Sequence, residues 1–218
     1  VAGWKPNDPD ADGRTQEGKI IICNADGSEP EEFFVTRQYW GLPVVNVNGT
    51  WWCKYNLRGN VKRFEDQILV ANDPAAGRDL GEYLTNCTDD EFLHILGDQY
   101  QGGNPDGLPL RHDGSSFYYE GMKASADNFG TIDPTVMAPD GFEIPDYDDY
   151  RFFTASHNFN LGYGSNAFNN NLGQRLTFDI VERDATFLGA SYGPVNFYDF
   201  NYNDTHFVLC GLGHQYSV

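Results

Sequence analysis

The apolar residues of this chain fall in short runs closed off by Gly, Asn and Asp, and that spacing limits the fold more than any other feature. Leu176, Phe178 and Ile180 alternate with Thr177 and Asp179, which gives a strand one buried and one wet face. Lys19-Ile20-Ile21-Ile22-Cys23 reads as a buried strand, Asn24-Ala25-Asp26-Gly27 as a turn, and Glu32 to Trp40 as a second strand. Val44 to Val47 and Thr50 to Tyr55 flank Asn48-Gly49, a dipeptide suited to the positive φ of a type I′ hairpin turn. The same pattern predicts strands over 151–154, 175–181, 186–188, 195–202 and 206–210.

One helix is predicted near 89–96. Thr88-Asp89-Asp90-Glu91 forms a capping box, Phe92, Leu93, Ile95 and Leu96 follow at helical spacing, and Gly97 supplies a stop. Residues 98–149 are dense in Gly, Asp and Pro around the short apolar piece Phe117-Tyr118-Tyr119, and read as long functional loops. Residues 1–18 have no apolar period and read as a polar arm ahead of a single β-rich domain, 19–218. Many short strands with one helix predict an all-β, mainly antiparallel fold, a sandwich or a barrel-like sheet.

Composition narrows the partners. Hydrophobic residues are 40%, with 16 Phe, 13 Tyr and 4 Trp, enough for a real core. A net charge of -18 repels nucleic acid and anionic lipid, and no run approaches the ~20 apolar residues of a membrane span. The first residues lack the pattern of a signal peptide, so an exported chain of this sequence would be the mature form. Secretion is nonetheless expected. Asn48, Asn86 and Asn203 each open an N-glycosylation sequon, and four cysteines accompany only five lysines. Cys23, Cys53, Cys87 and Cys210 lack any CxxC spacing and are expected to form two structural disulfides, with all three pairings open.

Several clusters invite chemistry. Asp8, Asp10, Asp12 and Gly13 resemble the opening of a calcium loop, but the twelfth position counted from Asp8 is Lys19, which excludes an EF-hand. A looser Ca2+ loop that includes Glu17 remains, beside a plain solvated arm. Asp146, Asp148, Asp149 and Glu120 could supply a glycosidase carboxylate pair, although acidic neighbours in so acidic a chain are more often a solvated surface. Gly189-Ala190-Ser191-Tyr192-Gly193 matches a nucleophile elbow, with Asp199 and His206 following in hydrolase order. Pro194 and a strand pattern follow the serine where that elbow needs a helix, so a strand turn is the better reading. The five histidines form no local metal pair. Asn158, Asn160, Tyr163, Asn166, Phe168 and Asn169 interleave amides with rings, as a site for uncharged sugars would. The plainer alternative is an Asn/Gly loop whose amides cap their own backbone.

"NGTWWCKY" is similar to the G-x-W opening of lipocalins, and "FNYNDTHFVLC" resembles their T-D-Y segment without its Asp-Tyr pair. That resemblance implies a barrel around a hydrophobic ligand. The leading expectation is different: a non-enzymatic subunit of an extracellular fibre, coat or matrix that self-associates through its N-terminal arm. A carbohydrate-binding module, with or without calcium, is the alternative, and a glycan-active enzyme or a ligand-holding barrel ranks lower.

Overall fold

A computed structural model of the chain describes residues 5–6, 15–38, 41–155 and 167–211. In order, the strands are β1 (Lys5–Pro6), β2 (Thr15–Ile22), β3 (Glu31–Gln38), β4 (Val44–Val47), β5 (Thr50–Cys53), β6 (Leu110–His112), β7 (Phe117–Tyr119), β8 (Phe142–Glu143), β9 (Ala167–Asn169), β10 (Arg175–Phe187), β11 (Ala190–Tyr202) and β12 (Thr205–Gly211). Helices α1 (Leu80–Asn86) and α2 (Asp89–Leu96) lie between β5 and β6. Every strand pair is antiparallel, so the mostly-β, antiparallel class holds. No barrel is closed among the described residues: the largest sheet has four strands in the order β12-β11-β10-β9, and the rest are two-stranded.

Turn chemistry builds the long hairpins. Asn48 and Gly49 take φ of 53° and 89° between β4 and β5, and Asn203 and Asp204 take 49° and 62° between β11 and β12. Both pairs supply the left-handed turn that matches strand twist. The predicted strands at 175–181 and 186–188 are one continuous strand, β10, which turns through Leu188-Gly189 into β11.

Alternation then divides the sheet into two faces. Val195 and Phe197 of β11 with Val208 and Cys210 of β12 face α1 and α2, where they meet Leu84, Phe92, Ile95 and Leu96. Phe200, Phe207, Leu209, Leu176 and Phe178 face the other way, onto Val47 and Trp52 of the β4–β5 hairpin and onto Phe152 and Phe153. Fully burying each of these large side chains stabilises by about 1.5–3 kcal/mol.

The helix pair is held by its caps and by one guanidinium. Thr88 and Glu91 form the predicted capping box, at 3.3 Å for the Glu91 N–H to Thr88 Oγ1 and 2.8 Å for the Thr88 N–H to Glu91 carboxylate. α1 was not expected. Asp79 caps it, accepting from the Glu82 N–H at 2.9 Å. Arg183 reaches from β10 to the carbonyls of Leu84 and Cys87 (2.6 Å to the latter), to Asp89 at 3.2 Å, and lies 4.5 Å over the Phe92 ring.

Three other expectations are corrected. Residues 151–154 are no strand: a 3-10 turn, Asp149–Phe152, forms instead. Asp146 and Asp149 each accept the other's backbone N–H, at 3.0 and 2.8 Å, which closes the chain into a turn and drops Phe152 and Phe153 into the core. Ile20, Ile21 and Ile22 are not buried, because among the described strands β2 pairs only with β3 and the three side chains, with Phe33, remain 47 to 57% exposed. The four cysteines are free thiols, not two disulfides. Cys53 and Cys210 are buried in separate core clusters, Cys87 packs at the end of α1, and Cys23 is exposed beside β2. Burial pushes the Cys210 thiol up to about 12 and that of Cys53 higher still; it also raises Cys87 against the pull of Arg183. They behave as small hydrophobes.

Alkylation of the native protein followed by mass spectrometry therefore labels Cys23 first and Cys53 and Cys210 only after denaturation. Arg183→Ala lowers stability by about 1–3 kcal/mol in chemical denaturation, since it strands two part-buried carbonyls. Arg183→Lys recovers little of that, because a single ammonium cannot reproduce the fork.

Candidate functional site

On the helix-facing side of the sheet the apolar pattern gives way to polar residues near the β11–β12 turn. The register sets Asn201 opposite His206 and Asp199 opposite Val208, so Asp199, Asn201 and His206 share that face with Phe197 and Val208. The first turn of α1 ends above them and brings in Asp79. While Asp79 Oδ1 caps the helix, its Oδ2 lies 2.9 Å from His206 Nδ1. Asp199 Oδ1 lies 3.3 Å from the same nitrogen, and the Asn201 amide stands 3.1 Å from His206 Nε2. One nitrogen and two carboxylate oxygens thus fall within 4.8 Å of one another, the one such metal-ligating trio among the described residues.

The approach requires a glycine. A Cβ on Gly81 of α1 would sit 2.3 Å from Asp199 Oδ2 and 2.9 Å from its Cγ. Asp199 is three-quarters sheltered or more, with 15% side-chain exposure. Burial pushes its carboxyl above the usual range, the charge of Asp79 adds to this, and the bond to His206 opposes it. Asp179 lies directly opposite Asp199 in the neighbouring strand, a further like charge. Asp79 and His206 also line an open cleft of about 400 Å³ with Lys54, Asp73 and Arg78. Lys54 and Asp73 are paired with each other at 2.9 Å.

A second feature stands apart from the core. β2 and β3 form a two-stranded ribbon that pairs with no other described strand. Ile20 lies opposite Phe33, Ile21 opposite Glu32 and Ile22 opposite Glu31, so apolar residues project on both faces. Its turn is locked locally: Asp26 accepts from the Ser28 N–H at 2.9 Å and hydroxyl at 2.6 Å, and Gly27 takes φ of 80°.

The residues singled out from sequence are distributed widely. Asp8, Asp10 and Asp12 lie outside the described residues, and Glu17 falls on β2 opposite Thr36. Asn158, Asn160, Tyr163 and Asn166 also lie outside them. Phe168 and Asn169 are on β9, where the Phe168 ring packs 5.7 Å from Phe178 and Asn169 is exposed. The neighbouring Asn170 is a structural staple, accepting from the Leu172 and Gln174 N–H groups at 2.9 and 2.8 Å. Asn48, Asn86 and Asn203 are exposed. Glu120 pairs with Arg111 at 2.9 Å, and Asp148 stands 3.6 Å from Arg151.

The nucleophile-elbow reading fails on register. Ser191 pairs with Thr186 near the start of β11, eight residues (199 − 191) from Asp199. At the usual strand rise that is about 26 Å, so Ser191 does not reach the Asp199–His206 pair. That pair was visible in the sequence, and its real companion, Asp79, was not. The signal existed: Asp79-Leu80-Gly81-Glu82 places a capping residue three before a glutamate.

No protein-family model, curated protein or solved structure matches the chain.

Gly81→Ala tests how closely α1 is fitted over Asp199. Alanine favours a helix by about 1 kcal/mol over glycine, yet the substitution lowers stability here. Asp199→Ala in the same chain restores the gain, which a double-mutant cycle by chemical denaturation measures.

Proposed function

We propose that the chain is a non-enzymatic assembly subunit of an extracellular fibre, coat or matrix, and that copies join through the β2–β3 ribbon. The observation that carries this reading is the exposure of Ile20, Ile21, Ile22 and Phe33 on a ribbon that pairs with no other described strand. An isolated two-stranded hairpin is marginal in water, and an open apolar edge is a template for another strand. Covering those four side chains returns about 25 cal/mol per Å² of apolar surface.

The occupant is a second copy of the same chain. The β2 sequence, TQEGKIII, can run antiparallel against a second copy about Gly18, with Ile20 opposite Gln16 and Ile21 opposite Thr15. That register sets Glu17 of each copy opposite Lys19 of the other, and opposite charges across strands are favourable. The two pairs offset at the contact the repulsion between chains that each carry -18. Such a contact is two-fold and closes on itself, so a polymer needs a second, different contact. The part of the polar arm ahead of β2, residues 1–14, fills that role in this reading, and the exposed Asn48, Asn86 and Asn203 sequons suit an outer surface.

Sedimentation velocity and electron microscopy test the proposal. The natural chain is expected to assemble, Ile20→Lys with Ile22→Lys to remain folded but monomeric, and deletion of residues 1–14, which leaves β2 whole, to stop growth at dimers. Lys19→Glu weakens the contact, and Glu17→Lys added to it restores the contact. A natural chain that stays monomeric, or a ribbon variant that assembles unchanged, overturns the reading.

A further inference from the structure

We propose that Asp79, Asp199 and His206 bind one divalent first-row transition-metal ion, of the Zn2+ class, on the wall of the α1 cleft.

The donor set carries the choice of ion. Two carboxylates and one imidazole present two negative charges and a nitrogen, which suits a divalent borderline metal, whereas Ca2+ prefers 6–8 oxygens. Two of the three spacings fit, and the third lies within 4.8 Å. Ligands about 2.1 Å from a metal stand about 3.0 Å apart in an octahedron and about 3.4 Å in a tetrahedron. His206 Nδ1 is 2.9 Å from Asp79 Oδ2 and 3.3 Å from Asp199 Oδ1.

Three further observations come from outside the trio. Gly81 leaves room for the Asp199 carboxylate, where any side chain would push it away. Asn201 Nδ2 lies 3.1 Å from His206 Nε2 and holds the ring with Nδ1 toward the aspartates; turning that amide over presents its Oδ1 to an Nε2–H, which frees Nδ1 to ligate a metal. Asp179, directly across from Asp199, adds charge that a cation neutralises and that a hydrogen-bonded pair alone does not need. With three protein ligands on one side and the open cleft on the other, coordination positions remain for water or a small anion.

Titration of Zn2+ into the full chain by calorimetry tests this, with Cys23→Ser present so that the exposed thiol takes no metal. One saturable ion is expected, together with a rise in thermal midpoint that follows Zn2+ concentration. Asp79→Asn is the decisive variant, because asparagine still caps α1 while one ligand charge is gone. It, Asp199→Asn and His206→Gln should each weaken binding at least about tenfold, while Asp113→Asn in the distant β6–β7 turn changes nothing. Absence of one-to-one binding, or natural affinity in Asp79→Asn and Asp199→Asn, overturns the site. Assembly is read separately, so either proposal can fail without the other.

Discussion

One largely sheltered guanidinium holds the architecture together. Arg183 takes the last carbonyls of α1, the first acid of α2 and the face of Phe92 in a single fork, and it does so from β10. Two helices of 7 and 8 residues are too short to persist alone in water. Their stability comes from the sheet face they cover and from this tie. Arginine suits the position because five donors in a fixed fork can satisfy several acceptors at once.

The acidic cleft inherits its geometry from that arrangement. Asp199 and His206 are set by strand register, which is rigid, but Asp79 belongs to a helix that must be seated before the three can meet. Like charges are thereby held close in a sheltered place, and the fold supplies the energy to do so through the apolar cluster next door. The β2–β3 ribbon follows the opposite logic. Among the described residues nothing covers its isoleucines, so its stability is open to influence from outside.

Much of this was legible in the sequence where the signal is local. Asn48-Gly49, Leu176 to Ile180, and the Thr88/Glu91 box each determine their own conformation through turn chemistry, alternation or capping. α1 escaped notice because Gly81, Thr85 and Asn86 are poor helix formers and the helix is short. Ile20 to Ile22 read as buried because a continuous apolar run normally has something to cover it, and covering is a property of the partner, not of the run. The aromatic pair Phe152-Phe153 looked like strand and is a turn, since two reciprocal aspartate bonds decided the backbone. The cysteines were judged from expected compartment, while their separation into different clusters is a tertiary fact. Asp199 and His206 are visible in the sequence only through an elbow pattern that Pro194 and the following strand argue against, and nothing local links them to Asp79, more than a hundred positions upstream.

The placement of β12 has a kinetic consequence. Val208 and Cys210 complete the packing under the helices, and Phe207 and Leu209 complete the packing against the β4–β5 hairpin. During synthesis, the elements from Val44 to Leu96 therefore emerge long before the strand that seals either layer. Only hairpins and capped turns can mature on the ribosome, and the cooperative step waits for a closure spanning most of the polypeptide. A nascent chain of this kind carries greasy, unsealed helices for the whole interval, which makes its passage through the cell a problem of protection before it is one of stability.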